Sequence, residues 1–551
     1  MRTPETADHV RPRILVTEPI CEPGVQALRS IGEVEDGTGI ERDGLLETIG
    51  GFDALVVRSH TLVDGELIER GRRLRVVGRA GVGVDNIDIP AATARGIVVV
   101  NAPEGNILSA AEHTVALMLG LSRRIAVADR VLKAGSWSDA RSEGVELFGK
   151  TLGIVGLGRV GSLVAVRAEA FGMRVVAYDP YISEERFARF GTERMPSLDA
   201  LMKEADYVSV HTPRTDETYG MVGSRELALA RDGVRVINCA RGGIVNEDAL
   251  ADAIESGKVA GAGVDVFDDE PVSTHPLFAF EDVVVTPHLG GTTEEAQVRV
   301  GVTVAEQVAA ALEGRLPRHA LNMPLTDSET VSFVEPFMPL AESMGRMYTQ
   351  LFGMPTGGVE VRYGGEVGRY RTDLPTLSLL RGLLEPVEGD AVNLVNGRYL
   401  AENRGISVTE SRSTESGSYA SLLTVVGHDG GEHSLTGTLH GREARITGID
   451  GFEVDLPAAG DVLVCWFGGR AVAESGIVGR VGTILGQAGV AISRMEVGRE
   501  VIDGRAIMVI SLAEPEPDAI RSTLSGLPGV SEVRLVRPAG GGSSGERRPG
   551  R

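Results

Sequence analysis

Cysteine, aromatic rings and positive charge are all scarce in this 551-residue chain. The three cysteines, Cys21, Cys239 and Cys465, lie far apart with no CxxC spacing, which argues against a zinc site and a disulfide framework and for a reduced, intracellular setting. Aromatic residues make up 4%, and 55 Lys and Arg face 77 Asp and Glu for a formal charge of -22. Nucleic-acid binding needs a cationic footprint and often stacking rings, so that class is set aside. No apolar run approaches the ~18 residues of a membrane span. Met1 to Arg13 carries Glu5 and Asp8 and has no apolar core, unlike a signal peptide, so a cytoplasmic protein with no membrane partner is expected. An anionic substrate would have to find a local basic pocket inside this repelling field.

Short apolar runs alternate with helical stretches. Ile14 to Val16, Ala54 to Val57, Val76 to Val77 and Ile97 to Val100 read as buried parallel strands, and 106 to 135 as two helices broken near Ser122. A second series follows, with runs at Leu152 to Val155, Val175 to Tyr178, Tyr207 to Val210, Val234 to Ile237, Ala262 to Val266 and Val283 to Val285. Two βαβ-type blocks are therefore predicted. Thr292 with Glu295 reads as a capping box, opening a helix on which Val298, Val302, Ala305, Ala309 and Leu312 form one apolar face and which carries the chain back towards the first block. From about 325 to 460, glycine-rich hairpins such as the one around Gly427 to Gly431 suggest a separate α+β domain. Residues 461 to 536 follow a βαββαβ layout, and a Gly/Ser/Arg tail over 538–551 is expected to be disordered.

Glycine is abundant, at 72 residues, so a GxGxxG match is expected about once by chance. Gly540 to Gly545 is such a decoy. Gly156-Leu157-Gly158-Arg159-Val160-Gly161 differs in its context: a strand ends at Val155, an apolar helix pattern follows, and a second strand ends at Asp179. That order is a dinucleotide-binding unit, with Asp179 placed to accept from a ribose 2′-hydroxyl and to repel a 2′-phosphate, so NAD is favoured over NADP.

Ligands of open α/β sheets bind beyond the carboxyl ends of the strands. There the chain offers His211-Thr212-Pro213, Asn238-Cys239-Ala240-Arg241-Gly242-Gly243, Asp268-Asp269-Glu270-Pro271 and Pro287-His288-Leu289-Gly290. An Arg fork can bind a carboxylate bidentately, and a His can accept a hydroxyl proton while hydride leaves for nicotinamide. A neighbouring Glu would orient the imidazole and stabilise its charged form.

These motifs closely resemble the D-2-hydroxyacid dehydrogenase family over roughly residues 12 to 324. The resemblance implies a Rossmann NAD domain (106–291) inserted in a flavodoxin-like substrate domain (12–105 and 292–324). It implies Arg241, Glu270 and His288 as catalytic residues. It further implies NAD contacts from Gly156, Gly158, Arg159, Val160, Gly161, Asp179, Thr212, Cys239, Ala240, Asp265 and Gly290. Val56 to Ser59, Gly78 to Asn86 and Gly105 to Thr114 are similar to the branch of that family that oxidises a phosphorylated hydroxy acid. For that branch Arg58, Ser59, Arg79, Gly81 and Asn106 would meet the substrate, and the reaction implied is NAD-dependent oxidation of 3-phospho-D-glycerate. The core motifs make no demand for a metal. Other readings are a reductase of glyoxylate or hydroxypyruvate, and an NAD(H)-sensing scaffold like the co-repressors that share this core.

Asn393 to Asn396, Leu400 to Ile406 and Gly448 to Phe452 resemble the intervening domain of the long form of this branch (325–460), and 461–537 resembles a ferredoxin-like ACT domain. An amino-acid effector and a homo-oligomer follow from that likeness. Three departures stand out. Val82 replaces a frequent Thr near the cofactor, Ser138-Asp139-Ala140-Arg141 offers only a displaced Arg after Trp137, and Ala473-Glu474-Ser475-Gly476, with Ala491 where an Asn is frequent, departs from the ACT signature.

Overall fold

Val- and Ile-rich runs of four or five residues, too short for helices, form the strands that place the site. In the computed structural model β1 (Arg13–Val16), β2 (Glu33–Asp36), β3 (Ala54–Val57), β4 (Val76–Arg79) and β5 (Val98–Asn101) pair in parallel in the order β2-β1-β3-β4-β5. This is the flavodoxin-like order. Sequence reading missed β2, Glu-Val-Glu-Asp, because an edge strand half in water lacks an apolar run.

The second sheet contains β6 (Thr151–Val155), β7 (Arg174–Tyr178), β8 (Glu193–Arg194), β9 (Tyr207–Val210), β10 (Val234–Asn238), β11 (Val259–Val264) and β12 (Val283–Val285). Its order, β12-β11-β10-β9-β6-β7-β8, is parallel throughout and reverses between β6 and β9, the Rossmann switch point. The strand predicted to run to Val266 ends at Val264. Val266 and Phe267 are instead buried in the loop beyond it, so Asp265 is the first polar residue past β11.

The returning helix, Glu294–Leu312, packs on the first sheet, but its cap and part of its buried face differ from expectation. Thr293, not Thr292, is the cap, its Oγ1 accepting from Ala296 N at 3.2 Å. Ala305 and Leu312 are buried as expected, but the rest of the buried face is Ala296, Val300, Val304 and Val308, while Val302 and Ala309 are half-buried and Val298 is exposed. Two valine stripes compete on this helix, and glycines decide between them. A Cβ on Gly78 would lie 2.7 Å from Val308, and one on Gly24 would lie 2.8 Å from the Gly301 backbone, so only this face finds grooves deep enough to enter.

A third sheet has the order β14-β13-β15-β16-β17-β18, built from β13 (Val359–Gly365), β14 (Val408–Ser413), β15 (Ser421–His428), β16 (Glu432–His440), β17 (Glu443–Ile449) and β18 (Phe452–Pro457). The helices Phe337–Phe352 and Asp373–Glu388, which carry Gly345 and Gly382, were not located individually within the expected α+β domain. These glycines are contact points, since a Cβ on Gly382 would lie 1.9 Å from Glu342 O on the facing helix. The fourth sheet joins β19 (Asp461–Phe467), β20 (Ile492–Arg499), β21 (Ala506–Leu512) and β22 (Val530–Val536) in the antiparallel order β20-β21-β19-β22, with helices Ile477–Gln487 and Asp518–Ser525. That is the predicted βαββαβ layout.

The structure describes residues 11–138, 143–324, 327–428, 432–468, 476–499, 506–513 and 518–538. The tail beyond 538, residues 139–141 and residues 473–475 lie outside them. No helix among the described residues is long and apolar enough to cross a membrane.

Candidate active site

The dinucleotide side is built from the turn after β6. Gly156 takes φ +91, and a Cβ there would lie 2.8 Å from Thr212 Cγ2 and 2.9 Å from His211 O, so only glycine fits between β6 and β9. A Cβ on Gly161 would lie 2.2 Å from Gly156 O, which lets the helix Arg159–Ala170 start close to the strand. Gly158 faces open space and caps this helix, leaving the N–H groups of Arg159 and Val160 at its positive end. Asp179 follows β7 and braces the turn, accepting from Leu157 N and Tyr181 N at 3.0 Å each. Thr212 Oγ1 is buried without a hydrogen-bond partner among the described residues. A buried orphan hydroxyl beside a glycine cradle, with an acid at the next strand end, fits NAD.

Asp265 is 1% exposed and organises the loop after β12. Its Oδ1 accepts from Thr286 Oγ1 at 2.6 Å and Leu289 N at 2.7 Å, and its Oδ2 from Gly290 N at 2.8 Å. His113 Nε2 lies 3.2 Å from Oδ1, and the Cys239 thiol donates to Oδ2 at 3.5 Å. Burial alone would raise the Asp265 carboxyl, but the bonds from His113, Thr286, Leu289 and Gly290 outweigh it and hold the group below its ordinary value. Burial, with Asp265 nearby, pushes the Cys239 thiol up, so Cys239 is a packed neutral thiol. Ala240 N is tied to Asn238 Oδ1 at 3.1 Å.

This loop presents His288, whose φ of +55 is left-handed and unusual for a residue with a side chain. Its N–H donates to Asp265 O at 2.8 Å, and its Nδ1 lies 2.6 Å from Glu270 Oε2. The other Glu270 oxygen accepts from Phe267 N at 2.9 Å. Burial would raise the Glu270 carboxyl, yet His288 and that N–H hold it below its ordinary value. A carboxylate at Nδ1 keeps that nitrogen protonated and leaves Nε2 as the atom free to take a proton.

A cavity of about 540 Å³ separates this pair from the first sheet, with Arg58, Ser59, Arg79, Gly81 and Asn106 on its far wall. Arg79 lies across Gly81, where a Cβ would be 1.4 Å from Nη1, and its Nε is buried without a partner among the described residues. Burial, then the like charges of Arg241 and Arg58, lower the Arg79 guanidinium to about 10. The three arginines therefore converge, although Arg241 stands beside the cavity rather than on its wall, with Nε 3.4 Å from Asp85 Oδ2.

Sequence reading missed Asp85, His113 and Glu18. Glu18 lies just past β1 and was findable by the strand-end rule. Its Oε1 accepts from Arg58 N at 2.8 Å and Thr61 N at 3.0 Å, and its Oε2 from His60 N at 3.2 Å. Burial would raise it, but these bonds and His60 bring it down from 4.5 to about 2. A depressed carboxyl stabilises the fold fully above its unfolded pKa and loses that contribution as pH falls through the folded one. On the order of 3 kcal/mol should therefore disappear between about pH 4.5 and 2. In calorimetric scans the gap in melting temperature between wild type and Glu18→Gln should narrow over that window, and a constant gap would contradict this role.

A cofactor cradle at the switch point, a His–Glu pair across a cavity and convergent arginines beyond it equip this crevice for hydride chemistry on a small anionic alcohol. The class so defined is the NAD-dependent D-2-hydroxyacid dehydrogenases. Residues 115–290 match the NAD-binding domain of the D-isomer specific 2-hydroxyacid dehydrogenases, and residues 333–450 match the D-3-phosphoglycerate dehydrogenase intervening domain. The chain is 39% identical to the D-3-phosphoglycerate dehydrogenase of Methanocaldococcus jannaschii, over 95% of this chain and 99% of that one. It is 42% identical to that of Mycobacterium leprae, with the same coverage. The chain belongs to the D-3-phosphoglycerate dehydrogenase family. Among solved structures, a glyoxylate reductase from Paecilomyes thermophila aligns with TM-score 0.52 at 31% identity, covering 56% of this chain and 98% of that one. A D-lactate dehydrogenase from Aquifex aeolicus, complexed with NAD and lactic acid, gives 0.50 at 30%, covering 57% and 99%.

Proposed function

We propose that this chain oxidises 3-phospho-D-glycerate to 3-phosphohydroxypyruvate with NAD, the entry step of phosphorylated serine synthesis, and that the residues above divide the work as follows. Bound NAD supplies the hydride acceptor. Gly156, Gly158, Gly161 and the N–H groups of Arg159 and Val160 would cradle its pyrophosphate, and Asp179 its ribose. Thr212, Cys239, Ala240, Asp265 and Gly290 would line the nicotinamide side. Arg241 holds the substrate carboxylate and polarises C2. His288 takes the hydroxyl proton at Nε2, and Glu270 keeps the ring in that tautomer and stabilises its cation. Arg58, Ser59, Arg79, Gly81 and Asn106 receive the phosphate end.

The observation carrying the substrate assignment is Arg79, a half-buried guanidinium crowded by two others, whose buried Nε has no partner among the described residues. An arrangement of three convergent cations is costly without an anion and suits a ligand charged at both ends. Arg58→Ala and Arg79→Ala should each lose phosphorylated substrate by ~2 kcal/mol or more in kcat/KM, about 30-fold, with a smaller loss for unphosphorylated hydroxy acids. Equal losses for both would point to another substrate.

A homo-oligomer and an amino-acid effector at the ACT-like unit belong to the same reading. β20 and β22 are edge strands of the fourth sheet, and pairing with a second copy would cover them. A cytoplasmic location belongs to the same reading, supported by three cysteines too scattered for a disulfide framework.

A further inference from the structure

The turn after β3, Arg58-Ser59-His60-Thr61, folds around a single carboxylate. Glu18 accepts from three of its four backbone N–H groups and also meets the side chain of His60, whose Nδ1 lies 3.1 Å from Oε2. Glu18 is buried, whereas the His60 side chain is 83% exposed and lines the cavity beside Arg58 and Arg79. The two arginines are the groups read above as phosphate contacts, so His60 lines the same cavity in which an anion is expected.

The carboxylate decides what His60 can do there. With Glu18 as acceptor, Nδ1 carries a hydrogen, and Nε2 is the ring atom left for a ligand. In the neutral ring Nε2 presents a lone pair, which a phosphate oxygen avoids. Protonated, it presents an N–H that a phosphate oxygen accepts as a charge-assisted bond. We propose that His60, oriented by Glu18, is a third cationic contact for the substrate phosphate, so that selection for a phosphorylated acid depends on a proton at Nε2. This rests on the reading of Arg58 and Arg79 as phosphate ligands. Glu18, from the end of β1, meets the ring directly, and Arg58 from its own turn and Arg79 from the end of β4 line the same cavity. The low position of Glu18, about 2, keeps it an acceptor across the working range.

The test uses the full-length enzyme with saturating NAD+ at pH 6.0 and 8.5, on either side of the usual imidazole range. KM and kcat for 3-phospho-D-glycerate are measured together with the competitive Ki of D-glycerate, which lacks the phosphate. His60→Ala should raise KM about tenfold at pH 6.0 and less than about twofold at pH 8.5, with Ki for D-glycerate moving less than KM. His60→Lys, which carries its charge at both pH values, should restore KM and remove the pH dependence of the difference from wild type. Comparing variant with wild type at one pH cancels the ionisation of the substrate phosphate itself. A KM change in His60→Ala that is equal at both pH values, or a Ki that moves in step with KM, would overturn the proposal. Arg58→Ala and Arg79→Ala, run alongside, separate the two ideas. If they shift KM and Ki equally, the phosphate reading of the whole turn fails. If they discriminate and His60→Ala does not, only the role of His60 fails.

Discussion

Replacing His288 with alanine is expected to lower kcat by about 10³-fold while NADH still binds within about twofold, as read by its fluorescence. A positioned base contributes roughly 10² to 10⁴ in rate. His288 has the features of one: a left-handed backbone held by Asp265, a carboxylate 2.6 Å from Nδ1, and the cavity in front of it. None of these features reaches the glycine turn after β6, so cofactor affinity should be spared. Glu270→Gln should cost less, about 10 to 10²-fold, because an amide can still hold the ring although it no longer favours the imidazolium. Near-full activity in His288→Ala would remove the residue from the reaction, and a parallel loss of NADH binding would mark the effect as structural.

Much of this site was legible in the sequence because a parallel sheet places chemistry at a predictable point. Thr212, Arg241 and His288 lie just beyond β9, β10 and β12, as apolar runs of three to five residues imply. What escaped was set by partners distant in sequence. Glu18 is a lone acid after one strand, and its importance comes from a turn 40 residues away that periodicity cannot show. Asp85 matters because Arg241, from the other sheet, reaches it. The face of Glu294–Leu312 was only partly recovered, at Ala305 and Leu312, because two valine stripes fit the helical period equally well, and Gly24 and Gly78, outside the helix, select between them. The helices Phe337–Phe352 and Asp373–Glu388 carry Gly345 and Gly382 at close contacts between them, a pairing that only the fold reveals. Pattern therefore located the strands, while tertiary packing decided which face of a helix is buried and which acid has a task.

Arg241 should show the other large effect, and its state in the absence of substrate says how the loss will divide. The guanidinium is 27% exposed and paired with Asp85, itself 63% exposed, at 3.4 Å. A pair that open to water is worth about 0–1 kcal/mol, so on the proposed role an arriving carboxylate would displace Asp85 at little cost. In its place the substrate would offer two oxygens to a planar fork inside a crevice with less water, where such contacts cost 2–5 kcal/mol when one side is removed. Arg241→Ala should therefore reduce kcat/KM by about 10³-fold, through a higher KM from the lost carboxylate and a lower kcat from the lost polarisation of C2. Arg241→Lys should recover only part of this, since an ammonium is a point charge without the fork. Added guanidinium should restore some activity to Arg241→Ala and none to Arg241→Lys, whose side chain still fills the space. If Arg241→Ala altered NADH affinity and left the response to substrate unchanged, the residue would belong to the cofactor side and the carboxylate would need another partner.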